Sequence, residues 1–296
     1  MEIRHLRCFV AVAEELHFAR AAEKLHIEQS PLSRAIKELE SDLGVLLFER
    51  TTRCTRLTHA GRVFLEHVPR IFAALQQARE SVKAVAAGYY GQLRIALSDC
   101  LSQARLSALL TLCREQEPEV DIRLYEVPFA QQMRGLCCDL YDAGFAQSAE
   151  VDDGLIALPV WNDPMVVAVP VRHPLLAYKK LPLDEILRYP LVLCDPDASE
   201  GCSRQLAKVL RSNHREPIVA EQVASHELMI TLVAAGFGLG FATEAHLSTC
   251  NHPAIVTRPL AGRTPLLTTY LLRRNTEPPQ ELSRFIERIN PVRPVR

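Results

Sequence analysis

Nothing in this chain constrains its fold more than the residues between Leu57 and Val85. Leu57, Gly61, Phe64, Val68, Ile71, Leu75, Ala78, Val82 and Val85 follow one another at alternating intervals of four and three. That is the a/d spacing of a helix whose apolar seam faces another helix over about four heptads. A helix lying on its own domain would present a broader stripe of period 3.6, so the strict alternation favours a seam between two copies of the chain. Thr58 stands where an N-cap belongs. Pro69 conflicts with the pattern, because an interior proline removes a hydrogen bond and costs about 3 kcal/mol. A kink or break is therefore expected near Val68. The rod divides the 296 residues into a short segment, 1–58, the linker helix and hinge, 59–90, and a long segment, 91–296.

The short segment has helical periodicity. Leu6, Phe9, Val10, Ala13 and Leu16 form one apolar face; Ala21, Ala22 and Leu25 point inward from a second helix over Phe18–Leu25. After the break His26–Gln29 a third helix carries Leu32, Ile36, Leu39 and Leu43 on one side and stops at Gly44. Helix, tight turn, helix, with small alanines for close packing, is a helix-turn-helix pattern. Val45–Thr58 reads as a two-stranded wing with Arg50-Thr51-Thr52-Arg53 at its tip. From Arg50 to Leu65 stand Arg50, Arg53, Arg56 and Arg62 and no acidic residue. The chain as a whole has 34 basic and 35 acidic residues, net −1, so it does not wrap a polyanion by bulk charge; the positive footprint is local.

Beyond the hinge Gly88–Gly91, β-type runs alternate with helical ones: Leu93–Leu97, Ala104–Gln116, Ile122–Val127, Gln131–Leu136 and Ala143–Ala146. Then come Met165–Val169, Leu191–Cys194, Ser203–Leu210, Ile218–Gln222, Leu228–Ala235, Gly240–Thr243, Leu266–Arg273 and a closing helix, Pro279–Ile289. Strands separated by helices predict parallel-type sheets covered by helices, here in two small α/β lobes. Lobe I takes residues 91–162 and 268–296, and lobe II takes 163–267. Pro159–Pro164 reads as the crossover, and the Leu266–Leu272 strand as the return. No run reaches the roughly 18 apolar residues of a membrane span. Nine cysteines without framework spacing point to the reducing cytoplasm.

The segment RHLRCFVAVAEELHFARAAEKLHIEQSPLSRAIKELESDLGVLLFERTTRCTRLTHAG resembles the winged helix-turn-helix of the LysR-type transcriptional regulators. The later VAAGFGLGFAT and the lobe spacing are similar to that family's effector domain. The resemblance implies a homodimer or homotetramer that binds double-stranded promoter DNA, responds to a small-molecule effector and communicates with RNA polymerase, with no catalytic residue and no cofactor. On the third helix Gln29, Ser30, Ser33, Arg34 and Lys37 project from the end that enters a major groove, where glutamine suits adenine and arginine suits guanine. Arg50, Thr51 and Arg53 of the wing suit phosphates or the minor groove. Glu28 departs from the family pattern, which has serine there.

Effector contacts are expected at the C-terminal ends of strands and at helix N-termini. These are Ser98, Asp99, Cys100 and Ser102 after the first strand, Pro128 and Phe129 after the second, Ser199 at the helix of the other lobe, and Ser225 and His226 before VAAGFG. Helix capping alone explains any one of these serines. Asp99 would disfavour a carboxylate ligand. Gly236–Gly240 has the order helix then strand, the reverse of a dinucleotide fingerprint. His246, Cys250 and His252 lack a tetrahedral set. Cys194 and Cys202 flank the lobe II loop, which leaves a redox-responsive regulator as an alternative. A solute-binding protein shares the two lobes but requires export, and no nucleophile elbow, metal motif or phosphate loop supports an enzyme.

Overall fold

A computed structural model describes residues 1–50, 55–99, 101–250 and 252–289. The chain separates into two compact units, Met1–Arg79 and Glu80–Arg296.

The first unit holds helices α1 (Ile3–Glu15), α2 (Phe18–Lys24) and α3 (Gln29–Leu43), strand β1 (Phe48–Arg50) paired antiparallel with β2 (Thr55–Leu57), and the first part of helix α4 (His59–Ala86). The apolar periodicity converges on one core of Leu6, Phe9, Val12, Ala21, Leu32, Ile36 and Leu39, closed by Leu47 and Phe48 of the wing and Val68 of α4. Phe9 is its hub, with ring centroids 5.5 Å from Phe48 and 5.1 Å from Phe64. Two expected core positions are not in it. Leu16 and Leu43 are exposed, because Leu16 is already the left-handed C-cap of α1 and α3 ends one residue later at Gly44, φ +71°. A buried carboxylate, Glu40, lies on α3 instead. Its Oε1 accepts the backbone N–H of Leu47 at 2.8 Å and of Phe48 at 3.1 Å, which ties α3 to the start of the wing. Thr58 caps α4 by accepting from the Gly61 N–H at 2.9 Å, and donates to the Leu46 carbonyl at 2.7 Å. Gly61 must lack a side chain, since a Cβ there would run into the Leu47 carbonyl oxygen.

The expected break at Pro69 does not occur: α4 runs from His59 to Ala86 with Pro69 inside it. Phe64, Leu65 and Val68 before the proline and Ile71 and Phe72 after it all pack on the same core, and this burial offsets the lost hydrogen bond. The heptad seam accordingly divides. Its first half is covered by the unit's own three helices, whereas Val82 and Val85 are each 70% exposed.

The second unit begins with β3 (Gly91–Leu97), α5 (Gln103–Gln116), β4 (Val120–Glu126), α6 (Phe129–Cys137), β5 (Ala143–Ala146) and the long β6 (Leu155–Pro170). A short 3₁₀ turn and α7 (Leu183–Ile186) lead to β7 (Leu191–Cys194), α8 (Glu200–Leu210), β8 (Val219–Val223), α9 (His226–Ala234) and β9 (Leu239–Thr243). The rest is α10 (Glu244–Cys250), β10 (Ile255–Pro259), β11 (Leu266–Arg274) and α11 (Gln280–Ile289). The strands form one sheet, β4-β3-β5-β11-β6-β9-β7-β8, with β10 on β6. Parallel pairing holds within β4-β3-β5 and within β9-β7-β8, the two lobes expected. The sheet is nonetheless mixed, because β6 and β11 pair antiparallel with each other and with their neighbours.

Pro159–Pro164, expected as a connecting segment, lies inside β6, which passes from one lobe to the other as a continuous strand. Prolines are tolerated in a sheet where the ladder is interrupted, and the register shifts at Thr269/Tyr270, opposite Trp161 and Pro159. Trp161 of this strand stacks on Phe145 at 4.9 Å and 7° in the lobe I core, worth about 0.5–1.5 kcal/mol beyond area burial. Arg105 of α5 donates from Nε to Asp163 of β6 at 2.9 Å, with both side chains buried. Gly236, φ +84°, stops α9 before β9 begins.

Candidate nucleic-acid interface and effector cleft

One face of α3 is fully buried through Leu32, Ile36 and Leu39. Its other face presents Gln29, Ser30, Arg34 and Lys37 exposed and Ser33 half-buried. Ser30 with Arg34, and Ser33 with Lys37, are four residues apart and so share a face. Gln29 and Ser30 lie in the first turn, where unpaired amides and the positive end of the helix dipole favour anions. Glu28 occupies the N-cap position, exposed, and makes no side-chain cap bond. Arg50 ends β1 opposite Thr55; Thr51 and Arg53 lie outside the described residues. Arg56 and Arg62 are exposed, and Arg62 Nη1 donates to the Leu57 carbonyl at 2.9 Å.

In the second unit the C-terminal ends of β3, β4 and β8, the residues leading into α8 and His246 of α10 border a cleft of about 490 Å³. Ser98, Asp99, Pro128, Ser199, Ser225 and His226 all line it. Ser98 is buried, and its Oγ donates to Gln132 Oε1 at 2.7 Å. Ser225 caps α9 by accepting from the Leu228 N–H at 3.2 Å. The His226 ring is buried with Nδ1 3.4 Å from Cys194 Sγ, and it packs 4.7 Å from the His246 ring. Asp99 has φ +60° and turns its carboxylate toward backbone amides.

Two expected contacts do not line this cleft, and a third is not among the described residues. Cys100 lies outside the described residues. Ser102 is the buried N-cap residue of α5 and does not line the cleft. Phe129 opens α6 onto a separate cavity with Met133, Arg134 and Arg204. Leu106, Glu126, Glu227 and His246 line the cleft without having been expected there. His246 follows β9, so the strand-end rule that found Ser98 and Ser225 would have found it too. Among the described lining residues there is no lysine or arginine. Cys194 and Cys202 are both buried and neither is in a disulfide. None of the described helices is long and apolar enough to cross a membrane.

Residues 3–62 match the family described as the bacterial regulatory helix-turn-helix protein, lysR family, and residues 86–292 match the LysR substrate binding domain. The chain is 33% identical over 240 residues to the uncharacterised HTH-type transcriptional regulator YnfL of Escherichia coli K12, covering 81% of each. It is 30% identical over 287 residues to the Hca operon transcriptional activator HcaR of the same organism, covering 97% of this chain and 96% of that one. Among solved structures, CbnR, a LysR family transcriptional regulator, aligns at a TM-score of 0.73 and 25% identity over 99% of both chains. Full-length BenM aligns at 0.61 and 28% identity, over 98% of this chain and 95% of that one.

Proposed function

This chain belongs to the LysR family of transcriptional regulators, and from that premise we propose which of its surfaces carry the two halves of the task. It is a DNA-binding regulator with an effector domain, not an enzyme. Gln29, Ser30, Ser33, Arg34 and Lys37 enter a major groove and read base edges, while Arg50, Thr51 and Arg53 of the wing hold phosphates. The observation that carries this reading is the two-sidedness of α3: one face is sealed into the core, and the other offers five polar side chains to solvent.

A small molecule occupies the cleft bordered by Ser98, Pro128, Ser199, Ser225 and His226, and its occupancy shifts the balance between two arrangements of the regulatory unit. The exposed end of the α4 seam, at Val82 and Val85, pairs copies of the chain, so that two recognition helices meet two half-sites. A crystal structure of CbnR in complex with its target DNA supports this reading, as do the full-length family structures. The chain acts in the cytoplasm, where its promoter DNA lies.

Arg34→Ala tests the assignment. In competition between the DNA upstream of the chain's own gene and unrelated duplex, the variant loses its sequence preference and keeps weak general binding. An unchanged preference removes Arg34 from the reading set.

A further inference from the structure

Asp99 follows β3 in a left-handed conformation, φ +60°, which an aspartate adopts at some cost and only glycine or asparagine share readily. Both carboxylate oxygens are engaged. Oδ2 accepts the Gln147 N–H at 3.0 Å, and Oδ1 accepts the N–H groups of Gly201 at 2.9 Å and of Cys202 at 3.4 Å. Gln147 follows β5, in the same lobe as Asp99, whereas Gly201 and Cys202 form the first turn of α8 in the other lobe. First-turn amides have no acceptor within their helix and carry the positive end of its dipole. A carboxylate is the group they suit best.

The surroundings are fitted to this contact. A Cβ on Gly201 would lie 2.7 Å from Asp99 Oδ2 and 2.5 Å from the Gln147 carbonyl carbon, so only glycine lets α8 approach so closely. The same helix extends the grip on lobe I. Gln205 Nε2 donates to the Gln147 carbonyl at 2.6 Å and to the Thr268 carbonyl at 2.8 Å, and Arg204 pairs with Glu150.

We propose that Asp99 is an anion the chain supplies to itself: its carboxylate fills a three-amide site spanning the two lobes and latches them together. The amides of α8 are therefore not available to a ligand carboxylate while the latch is closed. The neighbouring cleft, bordered by Glu126 and Glu227 and by no described lysine or arginine, takes its effector through hydroxyl, imidazole and apolar contacts. When the Asp99 side chain is removed, the site takes a small free carboxylate in its place.

The test is thermal unfolding of the full chain and of Asp99→Gly and Asp99→Asn, in chloride and in formate of equal ionic strength. Glycine accepts the left-handed backbone without strain, so Asp99→Gly reports the lost carboxylate and not a distorted turn. Its Tm is expected to fall by about 4–8 °C, from the worth of hydrogen bonds to a charged group. Formate at about 100 mM returns about half of that loss and moves the wild type no more than chloride does. Asp99→Asn, which keeps one acceptor oxygen, falls by less and ignores formate. An unchanged Tm in Asp99→Gly, or an equal effect of formate on the variant and the wild type, overturns the proposal. Should Asp99→Gly not fold, a Tm for Asp99→Asn equal to the wild type overturns it. The readout involves neither DNA nor effector, so it fails independently of the functional reading above.

Discussion

Replacing Glu40 by alanine removes the acceptor that joins the recognition helix to the wing. The amides of Leu47 and Phe48 both end on its Oε1, at 2.8 and 3.1 Å, and both residues lie in the core, 0% and 2% exposed. A buried donor left without a partner costs about 1–3 kcal/mol, more when the lost acceptor is charged. Two such donors therefore cost about 3 kcal/mol, after allowing for water entering the space of the lost side chain. That is a large share of the roughly 5–15 kcal/mol that separates folded from unfolded domains. Leu47 also accepts from Thr58 and covers Gly61, so the whole wing is loosened.

The appropriate assay is amide hydrogen exchange of the full chain, read on peptides spanning residues 44–65. With 1.36 kcal/mol per tenfold, exchange there is expected to quicken by roughly 100-fold in Glu40→Ala. In Glu40→Gln, which keeps an acceptor oxygen, most of the protection returns. Binding to the upstream duplex weakens in parallel, because the start of the wing at Leu47 and Phe48 loses its tie to α3. Exchange in Glu40→Ala within a factor of three of the wild type would refute the reasoning.

Two further outcomes follow from the second unit. Arg105→Met leaves Asp163 buried without its guanidinium and destabilises that unit by about 3–5 kcal/mol in urea unfolding. The double variant Arg105→Met/Asp163→Leu recovers most of the loss; a single variant as stable as the wild type would show the pair to be dispensable. Burial holds the His173 imidazole below its ordinary value, and its Nδ1 accepts the Leu175 N–H at 3.3 Å, so the folded state prefers the neutral ring. The stability it contributes is whole above the ordinary histidine pKa, about 6.5, and is lost as the pH falls through the lower folded value. His173→Asn, which keeps an acceptor at this N-cap position, flattens the acid side of the Tm–pH curve; an unaltered slope between pH 7 and 5 argues against the assignment.

How much of this was legible in the sequence differs between the two units. In the first unit, contacts are short-range and apolar spacing carries the fold. Leu6, Phe9, Ala21, Leu32, Ile36 and Leu39 were readable as core, and Thr58 as a cap. Glu40 was not, because its partners lie across a turn that no periodicity describes. Pro69 misled for the same reason: the local penalty was visible, while the packing on both sides of it is tertiary. In the second unit each parallel strand and its helix were legible. The first half of β6 was not, since Pro159 and Pro164 read as breakers, whereas pairing with β11 carries both inside the strand, Pro159 beside a register shift. The polar, seven-residue α10 was missed as well, and with it the place of His246.

The strand-end rule found Ser98, Pro128, Ser225 and His226 because the sheet itself brings those loops together. The same rule found Asp99, which lines the cleft, but not its amide partners. A carboxylate beside a cleft reads as a repulsive wall, yet its amide partners are 48, 102 and 103 positions away, and only the folded chain shows the charge already balanced.

The central claim, that the α3 face and the wing grip duplex DNA, is tested most directly by titrating the full chain onto the DNA upstream of its own gene at a series of salt concentrations. If Arg50 and Arg53 of two paired copies each neutralise one phosphate, log K falls against log salt with a slope of about −4, and the upstream duplex outcompetes unrelated DNA at every concentration. No complex at low ionic strength, or equal affinity for any duplex, would contradict the account.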